Sequence, residues 1–307
     1  MNTSCVEGLR GMFAGHHQRR IIAGRVLRLG ALVTLATALL SACTATRFAY
    51  NQAPTLTYWW IDRHVDLNEA QATTTRADVG AFFQWHRRQE LPVYADLLRQ
   101  WQTMAVDKIS ATQACAQFED IRMRLDRSAA ETVEPLARLA LKLSPEQLEN
   151  LKQQQAKSNE DFEKDFLRGS PEQRLRKRLD KAVERSESFY GTLSNEQRDL
   201  LRGLLQQSPF DPQRTQAERL RRQADLLQTV RDAQAAPTKA EQLVREHIGR
   251  IRQSPAPGYH AYNEELVRAG CAQLTTLHNS TTPEQRAKAV TALKGYENDL
   301  RTLSARR

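Results

Sequence analysis

Apolar residues recur at helical spacing along most of the chain beyond residue 68. Val290, Leu293 and Leu300 share one face of the last such segment, and Val244 and Ile248 lie one turn apart in an earlier one. Separations of three, four or seven residues place side chains on the same face of an α-helix. No convincing alternating strand pattern interrupts them. The pattern predicts an all-α protein, an elongated multi-helix bundle. Its helices are expected near 68–107, 110–140, 145–168, 171–191, 195–206, 213–235, 238–252, 259–279 and 283–304.

The same short sequence marks the start of many of these helices. A serine or threonine is followed three residues later by glutamine, with proline and glutamate often between them. This is a capping box, in which each of the two side chains bonds to the backbone beside the other. Clear copies begin at Ser144, Ser170, Ser194 and Thr282, and looser ones at Asn68 and Ser110. Pro92 is expected to kink or break the first helix.

The segment that precedes the helices is typical of an export signal. Four arginines between residues 19 and 28 are followed by an apolar run from Leu29 to Leu40. A bilayer-spanning helix needs ~20 apolar residues, so this run is too short to cross. It has the length of the apolar region of a cleaved signal peptide. The sequence therefore predicts a signal peptide over residues 1–42.

Leu40-Ser41-Ala42-Cys43 follows the apolar run and resembles the bacterial lipobox. The resemblance implies that the Cys43 thiol receives diacylglycerol, and that cleavage then leaves Cys43 as the first residue, whose amino group usually takes a third acyl chain. Several acyl chains anchor a protein stably, whereas one binds only marginally. Thr44, in place of aspartate, resembles the outer-membrane sorting signal of Gram-negative lipoproteins. We therefore expect a lipid anchor on the periplasmic face of the outer membrane; the alternative is an ordinary cleaved signal with a chance cysteine.

These assignments divide the chain into the signal peptide, a lipidated N-terminus with an aromatic tether over 43–67, and a helical periplasmic domain over 68–307. Two cysteines remain for the domain, Cys115 and Cys271. In an oxidising compartment they are a candidate disulfide, and the alternative is a pair of buried free thiols. Of the net charge of +9, residues 1–42 carry +4. The remaining excess is modest and spread out, which favours a mixed solvated surface and gives no indication of nucleic-acid binding.

Aromatic residues are concentrated at the start of the domain, where all four tryptophans lie between residues 59 and 101. A helix at 55–64 would place such rings on a lipid surface, which amphipathic aromatics favour. The alternatives are packing into the core and a groove for a peptide or glycan. The candidate binding surface consists of Tyr58, Trp59, Trp60, Asp62, Trp85, Arg87 and Arg88.

Candidate chemistry is sparse, and no catalytic residue, metal ligand, cofactor or small-molecule substrate is predicted. Asp62 and Asp66 share a helix face that His64 does not, because residues two apart diverge. His86 and Glu90 are one turn apart and are expected to form a surface contact. The sequence also lacks a Gly-x-Ser-x-Gly elbow, a phosphate-binding glycine loop and a His-Glu-x-x-His motif. The prediction is a protein that is not an enzyme.

Several motifs together resemble a family of uncharacterised proteobacterial lipoproteins with a domain of unknown function. The resemblance implies a helical lipoprotein and no known activity. It rests on the lipobox and on Arg47-Phe48-Ala49-Tyr50-Asn51, Tyr58-Trp59-Trp60-Ile61-Asp62, Val65-Asp66-Leu67, the segment from Trp85 to Ala95, and the segment from Leu277 to Arg286.

A second resemblance concerns the sequences beginning at Leu143 and Leu193, both of the form Leu-Ser-x-Glu-Gln. They are similar to the LTxxQ motif of helical periplasmic chaperones and stress sensors, with serine in place of threonine. The leading hypothesis is an anchored envelope lipoprotein whose helical domain binds or scaffolds an envelope protein partner. The alternative is a chaperone-like holdase. A third hypothesis is an enzyme or glycan-acting protein that uses Asp62, Arg87 and Glu90.

Overall fold

Helices form most of the chain wherever its structure is described. The computed structural model describes residues 45–305, and no strand occurs among them. The prediction of an all-α multi-helix bundle is therefore confirmed. The chain divides into two units, Met1–Ala49 and Tyr50–Arg307. Residues 45–49 of the first unit are helical.

The helices of the second unit are numbered here in chain order. Helix α1 covers residues 50–65 and is longer than the predicted helix at 55–64. A 3-10 turn at Pro237–Lys239 precedes α10. The others are α2 (Glu69–Gln89), α3 (Leu91–Met104), α4 (Ala111–Ala130), α5 (Val133–Ala140), α6 (Pro145–Phe166), α7 (Pro171–Tyr190), α8 (Asn195–Gln206), α9 (Pro212–Ala235), α10 (Ala240–Arg252), α11 (Tyr259–Asn279) and α12 (Pro283–Ala305).

Two prolines divide longer helical patterns, and only one of the breaks was predicted. The break between α2 and α3 is confirmed, with Pro92 in the first turn of α3. The prediction of one helix over 110–140 is wrong, because α4 ends at Ala130 and α5 begins at Val133. Pro135 has no N–H to donate to the carbonyl four residues earlier, and its ring crowds that carbonyl.

The capping boxes are confirmed at all six predicted helix starts. Each N-cap side chain accepts a hydrogen bond from the backbone N–H of the glutamine, whose side chain accepts one from the N-cap N–H. Each box satisfies two backbone donors that a helix start leaves without a partner in the helix. Local sequence thus determines where these helices begin.

The core consists of several clusters between neighbouring helices. One cluster joins α7, α8, α11 and α12 around Tyr190, Leu201 and Leu277. Another joins α5, α9 and α10 around Ala233 and Val244. Elsewhere α3 packs along α12 and α4 along α11. Over residues 45–305, no helix combines the length and the apolar character that crossing a bilayer requires.

Candidate functional site

The first half of the predicted aromatic surface divides between the core and the solvent. Tyr58 is buried, and the Arg76 guanidinium lies 4.2 Å from its ring centre. Trp59 and Trp60 are 60% and 61% exposed. An Asp62 carboxylate oxygen accepts the backbone N–H of residue 67 at 3.1 Å, just beyond the end of α1. Of these residues, only Trp59 and Trp60 are largely open to a partner.

The second half of that surface lies on α2 and is largely occupied by contacts within the protein. Trp85 is half-buried, with its ring centre 5.8 Å from that of Phe82. Arg87 donates a hydrogen bond of 3.1 Å to the carbonyl of Leu303. Arg88 is exposed and bonds to a glutamine of its own helix. The seven predicted residues therefore do not form one groove.

Glu90 lies between α2 and α3, and the prediction that it forms a surface contact with His86 is wrong. Its side chain is fully buried and faces α4, with one oxygen 3.3 Å from Arg127 Nε and the other 3.8 Å from Arg124 Nη1. Neither oxygen has a hydrogen-bond partner among the described residues. The two arginines offset part of the cost of burying this carboxylate. His86 instead bonds to the Tyr50 hydroxyl at 2.9 Å, and burial lowers the pKa of His86.

Trp60 lines an open cleft of about 380 Å³ between α1, α6, α9 and the start of α11. The Trp60 ring lies 4.2 Å from the ring of His64, which also lines the cleft. Phe162 and Tyr259 provide further aromatic surface on other sides. Aromatic walls that converge on an open cleft are typical of sites that bind a partner group.

Two guanidinium groups lie close to these aromatic rings. Arg219 is 5.8 Å from the centre of the Phe162 ring and Arg222 is 5.9 Å from that of Tyr259. Arg219 is held in place by a hydrogen bond of 2.7 Å that it donates to the side-chain oxygen of Asn159. Fixed guanidinium groups beside aromatic rings suit a planar or anionic group of a partner.

A buried carboxylate, Glu218, organises the cationic side of the cleft. Arg222 donates to it at 2.7 Å, Arg221 at 2.8 Å and the Ser254 hydroxyl at 2.7 Å. Burial raises the pKa of Glu218, but the hydrogen bonds from Arg221, Ser254 and Arg222 outweigh this effect and lower the pKa to about 2. This cluster is not among the sites predicted from the sequence. The available signal was a glutamate with arginines three and four residues later, on one helix face.

The capping-box glutamines form two reciprocal pairs between helix starts. The side-chain amides of Gln71 and Gln147 donate to each other at 3.0 and 2.7 Å. Each also donates to a backbone carbonyl just before the partner helix, at 2.7 Å in both cases. Gln197 and Gln285 repeat the arrangement at 2.7 and 3.0 Å. The glutamines of the Leu-Ser-x-Glu-Gln motifs therefore join helix starts to each other.

The structure describes two of the three predicted cysteine sites. Cys115 on α4 and Cys271 on α11 form a disulfide with 5.3 Å between their Cα atoms, so the structure has the bridge and not the free-thiol alternative. Cys43 and the preceding Leu40, Ser41 and Ala42 lie outside the described residues.

The residues considered for chemistry are in separate environments. Asp62 lies in the last turn of α1 and accepts the N–H of residue 67, Arg87 bonds to α12, and Glu90 is buried against α4. Within residues 45–305, no group of three or more His, Cys, Asp or Glu side chains is arranged to hold a metal ion.

The model of a family of unknown function, DUF6279, matches residues 63–259. The matched segment includes His64, Phe162, Arg219 and Tyr259 of the cleft, but not Trp60. Neither the curated proteins nor the solved structures contain a match.

Proposed function

The chain belongs to this family of unknown function, and from that premise we propose that it is an envelope lipoprotein, anchored by lipid, whose helical domain binds or scaffolds another envelope component. The observation that carries the proposal is Leu40-Ser41-Ala42-Cys43 placed directly after an apolar run and a basic segment. Acyl chains on Cys43 would anchor the protein stably. Thr44 favours the periplasmic face of the outer membrane as its location.

Two features of the domain support this location. The bridge between Cys115 and Cys271 is of a kind that persists in oxidising compartments such as the periplasm. Helix α1, which follows Cys43 closely in the sequence, exposes Leu56, Trp59 and Trp60. Tryptophan rings favour the interface between lipid and water. In a domain held near a lipid surface, such a helix face would contact the lipid.

The Trp60 cleft is the surface on which we place the envelope protein partner. Its guanidinium groups and aromatic rings would recognise an anionic or aromatic side chain of that partner. The cleft is open, and the buried Glu218 holds Arg222 in place before any partner arrives. A preformed site reduces the ordering cost of binding.

Substitution of the lipidation residue tests the proposal. In cells labelled with radioactive palmitate, the wild-type protein should carry label and fractionate with the outer membrane. Cys43→Ser should carry no label and should accumulate as the longer precursor, because the acylated thiol is required for cleavage. Cys5→Ser removes another cysteine of the leader and should behave as wild type. If Cys43→Ser is processed normally and still fractionates with the outer membrane, the proposal is wrong.

A holdase remains a second candidate, favoured by an exposed apolar face on α4. Phe118 and Leu125 lie two turns apart on this face, and both are exposed. Exposed apolar patches are typical of surfaces that bind other chains. We expect the protein to slow the aggregation of a reduced client protein, and Leu125→Ser to slow it less. Leu220→Ser, at an exposed leucine of α9, is the control. A wild-type protein that leaves aggregation unchanged at equimolar concentration would exclude this function.

A further inference from the structure

Another cleft, of about 390 Å³, lies among α3, α4, α7, α11 and α12, and its walls are almost entirely apolar. Its position and lining are separate from those of the Trp60 cleft. We propose that it binds one acyl chain of an amphiphile with an anionic headgroup, and that Arg185 at its edge binds the headgroup. The apolar side chains that matter most are Trp101, Met104, Phe118, Phe189, Leu274 and Leu293.

Apart from Arg185, the few polar side chains in the walls are already hydrogen-bonded within the protein. The Trp101 indole N–H donates to the side-chain oxygen of Gln117. The Ser186 hydroxyl donates to the carbonyl of Ala182 at 2.8 Å. A cleft whose polar groups are satisfied in this way offers few partners to water and presents hydrocarbon surface to a ligand. Its volume is within the range of sites for small ligands.

Hydrogen bonds hold the floor of the cleft in a defined shape. The buried His278 contacts the carbonyl of Asp107 through Nε2 at 2.8 Å and the hydroxyl of Tyr190 through Nδ1 at 3.0 Å. Because a carbonyl only accepts, Nε2 carries the proton and Nδ1 accepts from the hydroxyl. Asn279 exchanges two hydrogen bonds of 2.9 Å with the backbone of Ile109. The loop between α3 and α4 is therefore fixed to the end of α11.

The disulfide fixes the edge of the cleft. Phe118 follows Cys115 by three residues on α4, and Leu274 follows Cys271 by three residues on α11. The two side chains are therefore held beside the bridge, and they are 44% and 40% exposed. An apolar entrance that remains open to solvent is what an acyl chain requires in order to enter.

Charge determines which amphiphile fits. Arg185 is exposed, and in the described part of the chain its guanidinium has no hydrogen-bond or ion-pair partner. The residues that line the cleft include no aspartate or glutamate. A carboxylate or phosphate at the end of an acyl chain would form an ion pair with the guanidinium of Arg185. A free fatty acid and an anionic lysophospholipid share this chemistry.

Quenching of Trp101 fluorescence tests the position of the chain. The chain has four tryptophans, so Trp59→Phe, Trp60→Phe and Trp85→Phe together leave Trp101 as the only one. The protein is produced without residues 1–42 and with Cys43→Ala, so that it carries neither the apolar leader nor acyl chains of its own. A dibromo-substituted stearic acid should quench the fluorescence of this protein, because bromine quenches an indole ring only at close range. The quenching should saturate, because the cleft binds one acyl chain.

Leu274→Glu tests the entrance, since it places a negative charge there against the carboxylate of the ligand. It should weaken binding by about tenfold, which corresponds to ~1.4 kcal/mol. Leu220→Glu makes the same change at an exposed leucine on α9 and should bind as the parent does. Circular dichroism verifies that both variants are folded. If both bind the acid with equal affinity, or if quenching does not saturate, the proposal fails.

Arg185→Gln tests the headgroup. It should weaken binding of the acid by about threefold, as expected for an exposed ion pair. Binding of the methyl ester should not change. Arg176→Gln, at another exposed position of α7, is the control. Equal affinity of the parent for the acid and its ester would overturn the assignment of Arg185. Tighter binding of a dibromo-acyl lysophosphatidylglycerol than of the acid would identify a lysophospholipid as the source of the chain, and the reverse would identify a free fatty acid.

Discussion

Replacement of both bridged cysteines by alanine, Cys115→Ala with Cys271→Ala, is expected to lower the free energy of unfolding by about 4–5 kcal/mol. The bridge joins residues that are 156 positions apart, so in the unfolded chain it closes a long loop. Closing that loop removes conformations from the unfolded ensemble, and the entropy loss grows with loop length. Alanine leaves no polar group at the fully buried position 271. Urea unfolding of the two proteins under non-reducing conditions measures the difference.

Reduction provides the matched control for this prediction. Dithiothreitol should lower the unfolding midpoint of the wild type to near that of the double variant and should leave the double variant unchanged. Two titratable thiols per molecule in the untreated wild-type domain would contradict the bridge. Equal unfolding midpoints for the oxidised wild type and the double variant would contradict the predicted stabilisation by the bridge.

Glu218→Gln is expected to destabilise the domain by about 3 kcal/mol at neutral pH. Burial raises the pKa of Glu218, but hydrogen bonds from Arg221, Ser254 and Arg222 outweigh it and lower the pKa to about 2. In the unfolded chain the pKa of a glutamate is about 4.3. The difference between these values corresponds to about 3 kcal/mol that favours the folded, ionised state. Since the side chain is almost inaccessible to solvent, screening by water reduces this contribution little.

The contribution of Glu218 should depend on pH in a defined direction. Its pKa is lower in the folded than in the unfolded protein, so its stabilisation is fully present above about pH 4.5 and is lost as the pH falls towards 2. Urea unfolding at a series of pH values should show the wild type and Glu218→Gln converging in this window. Glu160→Gln, at an exposed position of α6, should differ from the wild type by less than about 0.5 kcal/mol throughout. A difference between wild type and Glu218→Gln that is constant across the window would contradict the explanation.

The positions of the helices could be predicted because their signals are local. The N-cap residue and the glutamine of each capping box lie within four residues, and the apolar spacing repeats within two turns. The break at residues 131–132 was not predicted, although its signal is also local. Pro135 lacks an N–H and its ring crowds the carbonyl four residues earlier.

The surface and the interior sites depend on contacts between distant parts of the chain, which local patterns do not determine. Tyr58, Trp59 and Trp60 are consecutive aromatics, yet only Tyr58 is buried, because Arg76 on α2 packs against its ring. Glutamate is usually a surface residue, but Glu90 lies between α2 and α3 and faces the arginines of α4. The sequence offers Cys115 and Cys271 as a candidate pair, but whether they bond depends on how helices pack, as does the position of Arg185 at a cleft.

The proposed acylation of Cys43 would determine where this protein resides, and the mass of its N-terminal peptide tests it most directly. Protein extracted from the envelope and digested with trypsin should release a peptide from Cys43 to Arg47. Its mass should exceed that of the bare peptide by a diacylglyceryl group and one amide-linked acyl chain. A mature chain that begins at another residue, or a Cys43 that carries a free thiol, would contradict the lipid anchor.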